Sequence, residues 1–164
     1  MTVLRYVAIV GCALWIGGLV ALGAIGAPIL FTVLEGARGP EGRELAGLTF
    51  GVMFERFEYI AIGLGLLVGA SIFVRAAIGP RPTHFKLRLW TVIVLILVTS
   101  VTVFFVAPKM DAIRSSVSVP IASLPESDAR RMTFGRLHGL TSALALFTVV
   151  AGLGLLWAET TDRH

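Results

Sequence analysis

Four times along this chain a long uncharged, apolar run is followed by a short polar one. No charge falls between Arg5 and Glu35, which leaves 29 uncharged residues. About 20 such residues cross a hydrocarbon core ~30 Å thick as a helix. A cleaved signal sequence has an apolar stretch of only about 7–15 residues, so the first run reads as a retained transmembrane helix, bent near Gly26 and Pro28. The second run, Tyr59 to Val74, reads as a span that begins near Phe54, with Glu55, Arg56 and Glu58 near the interface. The third is rich in Val and Ile. In water that bias favours a strand, but in lipid a helix satisfies its own backbone. The predicted spans are 4–34, 54–78, 86–108 and 136–158. Together they make one domain, an all-α integral membrane bundle of four transmembrane helices.

The connections differ. Residues 35–53 read as a Gly-rich polar link with a short helix from Pro40 to Phe50. Residues 75–88 form a tight basic turn, punctuated by Gly79-Pro80-Arg81-Pro82. Residues 109–136 are the longest polar segment, and Pro125-Glu126-Ser127-Asp128 reads as a helix start capped by Ser127 or Asp128. An even number of spans puts both termini on one side. That side carries Arg5, Arg75, Arg81, Lys86, Arg88 and Arg163. The opposite side carries eight basic and eight acidic residues. Raw basic counts favour the opposite side. The 75–88 turn, however, is short and wholly basic and hugs two helix ends, where the positive-inside rule has most force. The termini are therefore placed in the cytoplasm. Tyr6, Trp90 and Trp157 fall at the terminal-side interface, as aromatic belts prefer.

Composition agrees with a membrane protein. Of 164 residues 56% are hydrophobic and 15% charged, and the mean hydropathy is +0.88. About 25% charged is usual for soluble domains. The net charge of +4 sits in short clusters beside apolar runs, so it speaks for orientation in a bilayer and not for nucleic acid. A single cysteine, Cys12, excludes an intrachain disulfide and a Cys-rich zinc site. No phosphate loop, nucleophile elbow or zinc-protease helix is present, and no enzyme is expected. Gly63-x-Gly65 lies mid-span without a strand before it, so it is no nucleotide fingerprint.

The residues with chemistry gather at one depth on the side away from the termini. Measured from the interfaces, Pro28, Glu58, Pro108 and His138 fall level. Met53, Met110 and Met132 lie within a turn or two, with Glu55, Arg56, Lys109 and Arg136. Ionisable groups at such depth are costly, hence paired or functional. In the first case Glu58 pairs with Arg136 or Arg56, and His138 bonds Thr141 or Ser142. In the second the group forms a polar vestibule for an ion or small solute. Glu58 and His138 would then be ligand or proton acceptor, the three methionines auxiliary thioethers, and Arg136 would set the local field. Thioether with imidazole suits copper(I), since soft ligands select soft metals. Haem is a further possibility to weigh, through His84, His138 and His164. His84 and His138 lie a membrane apart, so a bis-histidine haem is not expected, while a pair of His138 with one methionine stays open. Glycines supply the rival to a vestibule. Gly47-xxx-Gly51 and Gly65-xxx-Gly69 stand 18 residues apart, five helical turns, on one face of a continuous helix. That face reads as packing inside the bundle, or as a seam for a homo-oligomer or a larger membrane complex. A faint duplication is also visible. Ala27-Pro28 and Ala107-Pro108 end the first and third spans, and Gly-Leu-Gly-Leu-Leu recurs at 63–67 and 152–156.

Several of these elements together resemble a known family. Trp15-Ile-Gly-Gly18, Ala27-Pro-Ile-Leu-Phe31, Phe57-Glu58, Phe105-Val-Ala-Pro-Lys-Met110 and Phe134-Gly-Arg-Leu-His-Gly139 look like the transmembrane protein 205-like family, in bacteria the domain of unknown function 4149. The likeness runs over roughly residues 4–157. It implies a four-helix membrane protein without an agreed activity, whose eukaryotic member is linked to platinum-drug resistance. Trp15, Pro28, Phe31, Glu58, Pro108 and His138 are the family's characteristic positions that carry over. The Trp-x-Gly-Gly element is also similar to CopD-type copper-resistance membrane proteins, which carry more histidines and methionines than this chain. The expected location is the bacterial inner membrane. The leading expected function is binding or transport of a cation, plausibly a soft metal such as copper. The alternative is a non-catalytic accessory or structural subunit.

Overall fold

The structure, a computed structural model, describes residues 2–161. They are all-α. A helical path runs from Thr2 to Ile78 and is broken once, at Gly39 (φ 59°, ψ −136°), a conformation open to glycine alone. Pro40 follows, at the first position of the next helix, where its missing N–H is no loss. We label the two arms α1 (residues 2–38) and α2 (residues 40–78). Phe85–Ser115 is α3 and Ala129–Thr161 is α4. The polar link expected at 35–53 is therefore helix. Its small residues allow this: a Cβ on Gly42 would collide with the Leu34 carbonyl across the reversal.

The four helices run antiparallel to their neighbours. Down the first pair Gly11 faces Val68, Trp15 faces Gly65 and Gly18 faces Phe57. Gly69 and Gly65 meet Val92 and Ile96 of α3 in the same descending order, and Ile16 of α1 meets Gly152 of α4. The contacts form a ring, α1 to α2 to α3 to α4 and back to α1. Buried positions on α2 fall at Glu58, Ala61, Gly65, Val68, Ile72 and Arg75, alternating steps of three and four. That is the inward seam of a left-handed bundle. The opposite faces are apolar and exposed, as lipid requires. Val10, Leu14, Phe73, Leu97, Leu146 and Val150 all point outward, and the apolar stretches reach mean hydropathies of 2.2, 2.6 and 2.0. Tyr6, Trp90 and Trp157 are outward too, at one end.

The turn after α2 is tight, from Gly79 to His84, and both described chain ends lie on its side of the bundle. Asp128 caps α4: its Oδ1 accepts the Arg130 N–H at 2.8 Å. The proline positions have a shared consequence. Just before Ala27-Pro28 and Ala107-Pro108 the helix widens into single π turns, Leu22–Gly26 and Thr102–Val106. Ala27 N–H donates to Leu22 O, and Ala107 N–H to Thr102 O, five residues back. A proline cannot donate to the carbonyl four residues earlier and its ring crowds that carbonyl, so the turn opens. The duplicated Ala-Pro thus places one structural defect on each of two diagonal helices.

Candidate functional site

The bundle is filled at one end and hollow at the other. In the terminal half Ala8, Cys12, Ile16, Val68, Ile72, Val92 and Leu155 close a core, continued by Trp15, Leu19, Ala61 and Leu95. Beyond that layer the helices border a partly open cavity of about 850 Å³. Both π turns border it, through Gly23, Ala27, Thr102 and Ala107. Phe31, Phe50, Phe54 and Phe134 supply aromatic wall, and residues 120–122 of the α3–α4 connection stand at the rim. Small side chains make the room. Gly47 and Gly51 face the cavity, one helical stripe above Gly65 and Gly69, which are packed against α1 and α3.

Glu58 forms the floor. It is 5% exposed. Its Oε2 accepts no hydrogen bond, and among the described residues no cation pairs with it. The pairing with Arg56 or Arg136 expected from depth is absent, because both guanidinium side chains are exposed on other faces of their helices. Below the carboxylate lies a second space of about 10 Å³, lined by Trp15, Thr99, Thr102 and Thr148. That is room for one water. The Trp15 indole N–H reaches no acceptor either, so a donor and an acceptor, both buried, border the same small space. Thr102 and Thr148 hydroxyls donate to the carbonyls of Val98 and Leu144, at 3.1 and 2.9 Å.

The cavity's arginines are committed. Arg43 pairs with Glu35 at 3.0 Å and lies over the Phe31 ring at 5.8 Å. Arg114 pairs with Asp111 at 3.2 Å and lies over Phe134 at 5.4 Å. Arg131 donates to Leu124 O and stands 3.7 Å from Glu126. Among the described residues Glu55 accepts only the long Tyr59 hydroxyl contact, 3.4 Å.

Of the residues singled out by depth, Glu58, His138, Met110 and Phe31 line the cavity. Met53 and Met132 are exposed and take no part in its lining, nor do Pro28, Pro108 and Arg136. Trp15 lies beneath the floor. His138 is exposed, and its carbonyl, not its ring, receives the Ser142 hydroxyl at 3.0 Å. His84 and His138 stand at opposite ends of the bundle, and His164 and Arg163 lie outside the described residues. Among the described residues no three His, Cys, Asp or Glu side chains gather closely enough to hold a metal ion.

The model of one protein family, the domain of unknown function DUF4149, matches residues 10–117. The chain belongs to this family. The match covers α1, α2 and α3, hence three walls of the cavity and its Glu58 floor. No curated protein and no solved structure matches.

A second polar cluster in this DUF4149 protein was not expected. At the terminal end Glu159 is fully buried and receives Arg75 Nη1 on Oε2 and Arg88 Nη1 on Oε1, each at 2.9 Å. Arg5 adds bonds from Nε to Glu159 O at 2.9 Å and from Nη2 to Thr160 O at 2.7 Å. Every helix contributes, α1 through Arg5, α2 through Arg75, α3 through Arg88 and α4 through Glu159 and Thr160, so the cluster ties all four together. A sequence signal existed. Glu159 follows a fully uncharged run at the depth of Arg5, Arg75 and Arg88, and a lone acid level with three bases calls for pairing.

Proposed function

We propose that this protein binds a cation in the cavity, with Glu58 as the anionic group at its floor, and serves in binding or carriage and not in catalysis. One observation carries the reading: a carboxyl group 5% exposed, without a counter-ion among the described residues, faces a cavity large enough for a ligand. A buried charge must be neutralised by a partner or a proton. Among the described residues no partner is supplied, so a proton or a bound cation takes that place. With the termini in the cytoplasm, the cavity opens on the far side of an inner membrane.

The soft-metal version of this reading now rests on three residues, Glu58, His138 and Met110. The likeness to CopD-type proteins rests on Trp15, Gly17 and Gly18, of which Gly18 seats Phe57 and Trp15 packs on Gly65, a helix-packing role. The accessory-subunit reading draws support from glycines that face outward: Gly17 is exposed with open space at its Cβ, whereas Gly11, Gly18, Gly65, Gly69 and Gly152 face neighbouring helices of this bundle.

The test is equilibrium binding to the purified full chain in mild detergent, against copper(I) under reducing conditions, potassium and a quaternary organic cation. Binding of at least one cation, lost in Glu58→Gln while thermal unfolding is unchanged, supports the reading. Wild type and variant binding alike would refute it.

A further inference from the structure

We infer that the cavity's occupant is a bulky organic cation, taken up in exchange for the proton of Glu58. This rests on the reading above and names the ligand class.

Size comes first. A bare metal ion needs a tight cage of several donors, and among the described residues no three His, Cys, Asp or Glu side chains form one. The cavity is about 850 Å³, within the range of roughly 300–1,000 Å³ typical of drug-sized ligands. Its walls come second. Four phenylalanine rings line it, and two of them already hold guanidinium groups over their faces, at 5.8 and 5.4 Å. Aromatic faces attract cations through the ring quadrupole, most strongly where water is excluded. An organic cation would use the same surface.

Charge comes third. The titratable and charged groups on the cavity are Arg43, Glu44, Glu55 and Glu58 from α2, Asp111 and Arg114 from α3, and Arg131 and His138 from α4. Helix α1 presents none, only Leu19, Gly23, Ala27 and Phe31. The three arginines are each matched by an acid, so the surplus is negative and is buried only at Glu58. At that floor one positive charge is accommodated at a time, a proton covalently on the carboxyl or an organic cation beside the carboxylate. Uptake breaks the Glu58 O–H bond, releases one proton to solvent and leaves an ion pair, with no redox change.

The experiment titrates tetraphenylphosphonium into the weakly buffered, purified full chain and reads binding and released protons together. Potassium and copper(I) serve as small-cation controls. Wild type is expected to bind the probe and release one proton per cation. Glu58→Gln is expected to lose about 30-fold or more in affinity, the usual loss when one partner of a buried charge pair is removed, and to release no proton. Gly51→Leu supplies an independent arm. Gly51 lines the cavity, and a Cβ there meets nothing within 4 Å, so the side chain enters open space and narrows the cavity, with circular dichroism as the check on folding. It is expected to weaken the probe about tenfold and leave small cations unaffected, whatever becomes of Glu58→Gln. Probe binding without proton release, probe binding equal in Glu58→Gln, or probe binding untouched by Gly51→Leu each overturns the inference. Copper(I) or potassium bound through Glu58 while the probe is refused overturns it too, and leaves the cation reading standing. No cation bound by wild type overturns both.

Discussion

Glu159→Gln preserves the shape of a side chain with no exposed surface and removes its charge. Two guanidinium groups then lose their carboxylate, one on each oxygen at 2.9 Å. A hydrogen bond to a charged group is worth about 1.5–3 kcal/mol, so two give about 3–6 kcal/mol. Breaking a buried ion pair from one side costs about 3–5 kcal/mol, because the abandoned charge stays desolvated. Both routes converge on about 4 kcal/mol. For a chain of this length ~2–4 °C is lost per kcal/mol, so the melting temperature falls by roughly 8–16 °C. The assay is thermal unfolding in one detergent, followed by circular dichroism, for wild type, Glu159→Gln, and a triple replacement of Glu159→Met, Arg75→Met and Arg88→Leu. The triple variant removes all three charges together and is expected to recover most of the loss, since apolar groups of similar volume replace buried ion pairs at little cost. A loss under about 1 kcal/mol in Glu159→Gln, below the value of even one such bond, would refute the view that this cluster ties the helices together.

Other outcomes are as specific. The Arg130 guanidinium and N–H beside Asp128 hold its carboxyl down, at about 2. A folded value below the ordinary ~3.9 means the cap stabilises above pH ~4 and is lost as pH falls toward the folded value. The amide signals of residues 129–133 should therefore loosen between pH 4 and 2 in wild type and show no such transition in Asp128→Asn. Gly39→Ala forces a side chain into the reversal at φ 59° and should cost about 1–3 kcal/mol of thermal stability; an unchanged melting curve would refute the strain. Gly65→Leu drives carbon atoms into Ile96 and Trp15, which stand 2.7 and 2.8 Å from a Cβ at that position. It should unfold the monomer, whereas a surface seam would leave the monomer intact and lose only a partner, a difference size-exclusion chromatography and circular dichroism resolve.

Four helices were legible in the sequence because charge-free runs of such length have few other fates. The reversal at Gly39 was not. The stretch from Glu35 to Glu58 is charged, and its inward side is Gly42, Ala46, Gly47 and Gly51, residues too small to raise an apolar signal. Depth was legible as well, and it brought Glu58, His138 and Met110 to one cavity. Azimuth was not. Met53 and Met132 share that depth, but a helix turns about 100° per residue, and they end on outer faces. The Ala-Pro repeats signalled a bend through proline chemistry. What they could not signal is that both π turns would border one cavity, which depends on which helices stand next to each other. The Glu159 cluster was masked in the sequence because the bases around it, Arg5, Arg75 and Arg88, also satisfy the positive-inside pattern.

The packed terminal half has an electrical consequence. A cavity open to water at one side carries that side's potential down to its floor, so the membrane voltage falls across the sealed part alone. From Glu58 to Arg75 along α2 that part is ~25 Å thick, at 1.5 Å per residue. A cation that reaches Glu58 from the open side crosses almost none of the field. One that left by the terminal side would cross nearly all of it, about 2.3 kcal/mol for each 100 mV. On the cation-binding reading proposed above, capture at Glu58 would thus be indifferent to membrane potential, and any passage beyond it would be driven or blocked by that potential at full strength.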